Sequence, residues 1–108
     1  MNERNNYATA LKIAVAAQKD LGDPLGMDAY IRSELAIAVI AAMWGRNLNK
    51  IRIEESKAEP NATVLKELND KQALYHKEKD EVYRGNIAVQ EHVIRDYAPL
   101  LKKEYEGI

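Results

Sequence analysis

Ten consecutive apolar residues, Leu35 to Trp44, constrain this chain more than any other feature. The run ends at Gly45-Arg46. A bilayer-spanning helix needs roughly 20 apolar residues, so this run is too short to cross a membrane. A helix that is apolar on every side must be covered by protein on every side. In a chain of 108 residues that is a heavy demand, and it points to self-association or to a partner.

Composition narrows the classes. Sixteen basic and seventeen acidic residues leave a formal net charge of −1. That balance supplies no general field for nucleic acid, which binds by displacing counterions, and none for an anionic membrane surface. The hydrophobic share of 46% and the charged share of 31% are those of a globular chain, and the length fits one domain. There is no cysteine, so disulfides, thiolate catalysis and cysteine-ligated zinc are excluded. This usage is compatible with the cytoplasm, which is the expected location. Residues 10–17 imitate a signal peptide poorly, because Lys12 interrupts the apolar run and Glu3 stands where a basic leader belongs.

Abundant alanine, leucine, lysine and glutamate favour helix throughout. Tyr7, Leu11, Ala14, Val15, Gln18 and Leu21 recur at spacings of three and four, which predicts a helix over about 6–21, closed by Gly22 and Asp23-Pro24. Asp28 is a suitable N-cap for a second helix over about 28–57. One of its stripes, Ile37, Ala41, Trp44, Leu48 and Ile51, runs straight through Gly45. The segment Ala58-Glu59-Pro60-Asn61 is the clearest break, and Asn61 can cap the next helix. That third helix is expected over about 62–97, with Pro99 ending or kinking it before a short last turn over 100–106.

Within the third helix Leu68, Tyr75, Val82 and Val89 lie seven apart. Their companion column reads Leu65, Gln72, Lys79, Asn86 and Val93, apolar at its ends and polar in its middle. This is a coiled-coil-like seam with a wet waist. A helix of about 36 residues is roughly 54 Å long. A compact chain of this size has a radius of gyration near 13 Å, so it cannot wrap such a helix by itself. Either Gly85 breaks the helix and gives a compact bundle, or the subunit is elongated and buries its seam against another copy. The all-round apolar second helix favours the latter. The expected fold is all-α: a short N-terminal helix plus a long antiparallel helical hairpin, completed by oligomerisation.

Candidate sites are few. His76 and Asp80 are four apart, as are His92 and Asp96, and one helical turn can bring such a pair to a metal ion. The two pairs are offset by sixteen residues, about 160° around one helix, so they cannot share a site there. Each pair reads more simply as a solvent-facing histidine beside a carboxylate, and no metal or other cofactor is expected. Glu78 and Glu81 have the Glu-x-x-Glu spacing of all-helical magnesium pyrophosphohydrolases, but the opposing motif is missing, since Glu55 and Glu59 are four apart. Ser33 and Ser56 sit in no nucleophile elbow, and the scattered glycines form no phosphate loop. No catalytic residue is therefore expected.

The best binding candidate is Trp44 with Arg46, Lys50 and Arg32. An indole beside guanidinium groups can stack on a planar ring and hold an anion, and Tyr30 and Tyr75 are candidates to join across a helix interface. The simpler reading makes Trp44 a core anchor and the basic residues its polar continuation. Size, charge balance and the lack of catalytic signatures are in the style of small helical proteins of phages and other mobile elements, without a residue match. The expected function is that of a non-enzymatic helical oligomer acting as an interaction, inhibitory or regulatory protein on an unknown protein partner. The alternative is an oligomer that sequesters a small nucleotide-like anion between subunits.

Overall fold

The computed structural model of the protein describes residues 28–105. They form three helices, α1 (Ala29–Glu55), α2 (Ala62–Tyr83) and α3 (Ile87–Tyr105), with no strand among the described residues. The helix expected over 6–21 lies outside those residues. The Asp28 side chain caps α1 by accepting from the Tyr30 N–H at 2.9 Å. Gly45 does not interrupt α1. Asn47 and Ile51 are buried beyond it, and their contacts outweigh the roughly 1 kcal/mol that a mid-helix glycine costs.

The first chain reversal is stapled by one carboxylate. Asn61 caps α2, accepting from the Thr63 and Val64 N–H groups at 2.9 and 3.0 Å. The Asn61 N–H itself donates to Glu54 at 3.1 Å, and Lys57 donates to the same carboxylate at 2.9 Å. The Asn61 bond first, and then Lys57, hold the Glu54 carboxyl below the usual carboxylate range.

The second reversal corrects the expected helix over 62–97. The chain leaves α2 after Tyr83 and starts α3 at Ile87. Gly85 takes φ +84°, the left-handed conformation that L side chains disfavour. The Gly85 N–H donates to Val82 O at 3.1 Å and the Asn86 N–H to Glu81 O at 3.0 Å, which together form a Schellman motif. Asn86 then opens α3, its side chain accepting from the Val89 N–H at 3.2 Å. The heptad column continues through this site in sequence but not in space. Of the two outcomes expected at Pro99, an end or a kink, the end does not occur, since α3 carries on through it to Tyr105. Ala98 and Leu101, on either side of the proline, are buried. Their packing offsets the hydrogen bond that an interior proline removes.

Contacts fix the order of the helices. Glu54 meets Asn61, and Asn47 meets Leu68 and Gln72, so α1 and α2 run antiparallel. Arg32 meets Gln90 and, fourteen residues further along both helices, Arg46 meets Glu104, so α3 runs parallel to α1. The result is an up-down-up helical bundle. No helix among the described residues is long and apolar enough to cross a membrane.

The core is unevenly shared. Leu35, Ala36, Val39, Ile40, Ala42 and Met43 of α1 pack with Val93, Ile94, Ala98 and Leu101 of α3, while α2 adds Val82, with Tyr75 packed against the cluster. Complete burial of a valine, leucine or isoleucine contributes about 1.5–3 kcal/mol, and most of the fully buried apolar side chains come from α1 and α3. The ten-residue run is not buried evenly: Ile37, Ala38, Ala41 and Trp44 are only partly buried.

The two glycines predict opposite outcomes. A side chain at Gly85 is strained by the positive φ, so Gly85→Ala should lower unfolding stability by about 1–3 kcal/mol. Among the described residues nothing lies within 4 Å of a Cβ built at Gly45. Gly45→Ala should raise stability by about 1 kcal/mol through helix propensity. Urea unfolding of both variants measures the two effects, and equal signs would contradict the assigned roles.

Candidate functional site

The most concentrated chemistry lies where α2 faces α3. Glu78 is the buried acid of α2, brought there because it shares a face with Val82, one turn on. The Tyr97 hydroxyl donates to its Oε1 at 2.7 Å. Its Oε2 lies 2.6 Å from His92 Nε2. The other ring nitrogen, Nδ1, lies 2.6 Å from Asp96 Oδ2 one turn along α3. Tyr75 of α2 packs edge-on against Tyr97, with ring centroids 5.6 Å apart, and His92 meets the same Tyr97 ring at 5.1 Å.

Electrostatics follow from this packing. Burial, then the bond to Glu78 and its negative charge, push the Tyr97 phenol well above the ordinary tyrosine value. Burial pushes Tyr75 up too, with Glu78 adding to the rise and Arg46 opposing it. Both ring nitrogens of His92 lie against carboxylate oxygens. The two carboxylates flank the ring on opposite edges, so they cannot chelate one ion together with it. Among the described residues no group of three or more histidine, aspartate and glutamate side chains is placed to hold a metal.

The paired-acid spacing resolves differently from its motif. Glu81 turns away from Glu78, accepting from Arg84 at 3.3 Å and from Asn86 at 3.0 Å. His76 and Asp80 are 3.7 Å apart on an exposed face.

The residues of the expected ligand pocket are dispersed. Trp44 and Arg46 are two positions apart, about 200° around a helix, and they address different neighbours. Lys79 of α2 sits 5.0 Å over the Trp44 ring, whereas Arg46 is paired with Glu104 of α3. The Arg46 Nε is buried without a hydrogen-bond partner among the described residues. Lys50 is exposed one turn beyond it. Arg32 lies fourteen residues before Arg46, roughly 21 Å along the axis, and donates to Gln90 at 3.0 Å. Tyr30 is exposed beyond Arg32, while Tyr75 lies in the cluster with Tyr97.

Sequence spacing reveals the His92–Asp96 pair but not Glu78 or Tyr97, because their meeting depends on the reversal at Gly85. The available signal is Gly85-Asn86 itself, a glycine suited to end one helix followed by an asparagine suited to cap the next. Comparison with protein-family models, with curated proteins and with solved structures finds no match to this chain.

The Tyr97 bond carries a pH signature. Because the folded state holds this phenol protonated beyond its usual range, its contribution is fully present below about pH 10, the ordinary tyrosine value. It is lost as pH rises through the higher folded value. Ultraviolet absorbance titration should show a phenolate class that ionises late, together with unfolding. Tyr97→Phe should shrink that class, leaving the part due to Tyr75, and lower neutral-pH stability by about 1–3 kcal/mol, since Glu78 loses a donor. An unchanged titration in this variant would refute the assignment.

Proposed function

We propose that this protein is a non-enzymatic helical interaction protein that associates with a second copy of itself and acts on another macromolecule as an inhibitor or regulator. The observation that carries the reading is that four large exposed apolar side chains stand at one end of the bundle. Tyr30 and Ile31 stand at the start of α1, Tyr83 at the end of α2 and Ile87 at the start of α3. The bonds from Arg32 to Gln90 and from Gln90 to Val82 O bring these three helix ends together. Tyr83 is 59% exposed and Ile87 52%. Single exposed apolar residues are ordinary on a surface, but clusters of them mark interaction sites.

Support for self-association thus comes from the end of the bundle rather than from a seam running the length of one long helix, since the helix that would carry that seam is divided at Gly85. An anion-binding oligomer has less behind it, because Trp44 and Arg46 point to different helices.

Native mass spectrometry and light scattering at micromolar concentration should show a dimer or larger assembly. The double variant Tyr83→Ser, Ile87→Ser should shift it to monomer with helicity kept, since neither side chain is buried. A monomeric wild type would remove the self-association. An assembly that survives the double variant would move it away from this end.

A further inference from the structure

The attachment of α2 is chemically unlike that between α1 and α3. Its two buried residues are Val82 and the carboxylate Glu78. Tyr75 packs against the core beside them, and polar bonds add to the attachment. Asn47 donates to Leu68 O and to Gln72 Oε1, both at 2.8 Å, and Gln72 donates to Trp44 O at 3.3 Å. Toward α3 the polar contacts of α2 centre on Glu78, together with the Gln90 bond to Val82 O.

The line Glu78–His92–Asp96 has a proton requirement. A neutral imidazole offers one N–H and one lone pair. Each ring nitrogen lies 2.6 Å from a carboxylate oxygen. With a neutral ring and two ionised carboxylates, one contact sets a lone pair against an anion. Both contacts are hydrogen bonds only when two protons lie along the line, as they do for an imidazolium donating to both sides. We propose that His92 is a proton-operated clamp: doubly protonated, it ties Glu78 of α2 to Asp96 of α3, and loss of one proton loosens α2 from the bundle.

Charged and titratable groups surround the line from all three helices. From α2 come Glu78 and, behind it, Tyr75; from α3 come Asp96 and Tyr97, with Glu91 and Arg95 flanking His92 in sequence. From α1 comes Arg46, which is paired with Glu104 and bears on Tyr75. Tyr97 already donates to the other oxygen of Glu78, so it does not replace a proton lost from the ring. The ring is half-exposed, so the proton exchanges with solvent without unfolding.

The test uses Asp96→Asn. Asp96 is exposed, so the change leaves the fold intact. An asparagine amide can donate to the Nδ1 lone pair while a neutral ring donates from Nε2 to Glu78, so the clamp no longer needs the second proton. All proteins carry His76→Gln, which removes the other histidine. The thermal midpoint of the parent should fall by roughly 5 °C between about pH 5.5 and about pH 8. In the Asp96→Asn protein the fall should nearly vanish, and in the His92→Gln protein the midpoint should be low at both values. Nitrogen chemical shifts of the His92 ring should show the parent losing a ring proton over the interval in which its midpoint falls. A flat parental midpoint overturns the clamp, as does an equal fall in the Asp96→Asn protein or a ring that is already neutral at the lower pH.

Discussion

A single backbone angle organises the molecule. With φ at +84°, Gly85 turns the chain back between α2 and α3, and α3 comes to lie parallel to α1. Without that reversal, Val93, Ile94, Ala98 and Leu101 would continue along the axis of α2 and could not reach the apolar face of α1. The core is therefore a product of the turn, and the turn is held by backbone bonds to Val82 and Glu81 rather than by side-chain bulk.

The bundle divides its cohesion in two. Between α1 and α3 an apolar core is flanked by the Arg32–Gln90 bond and the Arg46–Glu104 pair. Between α2 and its neighbours the packing of Val82 and Tyr75 is joined by directional bonds through Asn47, Gln72, Glu78 and Gln90. Directional contacts contribute modest net energy, but they penalise misalignment, because a buried group left without its partner costs about 1–3 kcal/mol. A slip of α2 by one turn would orphan Asn47 and Glu78 together. These polar groups set the register of a helix whose own apolar face is thin, as a buried asparagine does in a coiled coil.

Much of this is legible in the chain. Asp28 and Asn61 announce two helix starts, and the stripe through Trp44, Leu48 and Ile51 carries α1 past Gly45. The polar middle of the companion column marks where α2 is held by hydrogen bonds, as Gln72 shows. The break at Gly85 is masked by two coincidences. Leu68, Tyr75, Val82 and Val89 keep a seven-residue spacing across it. Asp80 and Arg84 also sit at helix-stabilising spacing, although Arg84 pairs instead with Glu81. Local periodicity cannot tell a continuing helix from one that stops and restarts in phase. The contacts of Glu78 with His92 and Tyr97 are invisible for the same reason, since each spans the reversal.

The placement of the one tryptophan has a practical meaning. Its indole lies under the Lys79 ammonium, and its carbonyl accepts from Gln72, so both of its neighbours belong to α2. An ammonium held over an indole face polarises the excited ring. The intrinsic fluorescence of this chain is therefore a label, built into the sequence, for the seam between the first two helices. It reports their separation optically.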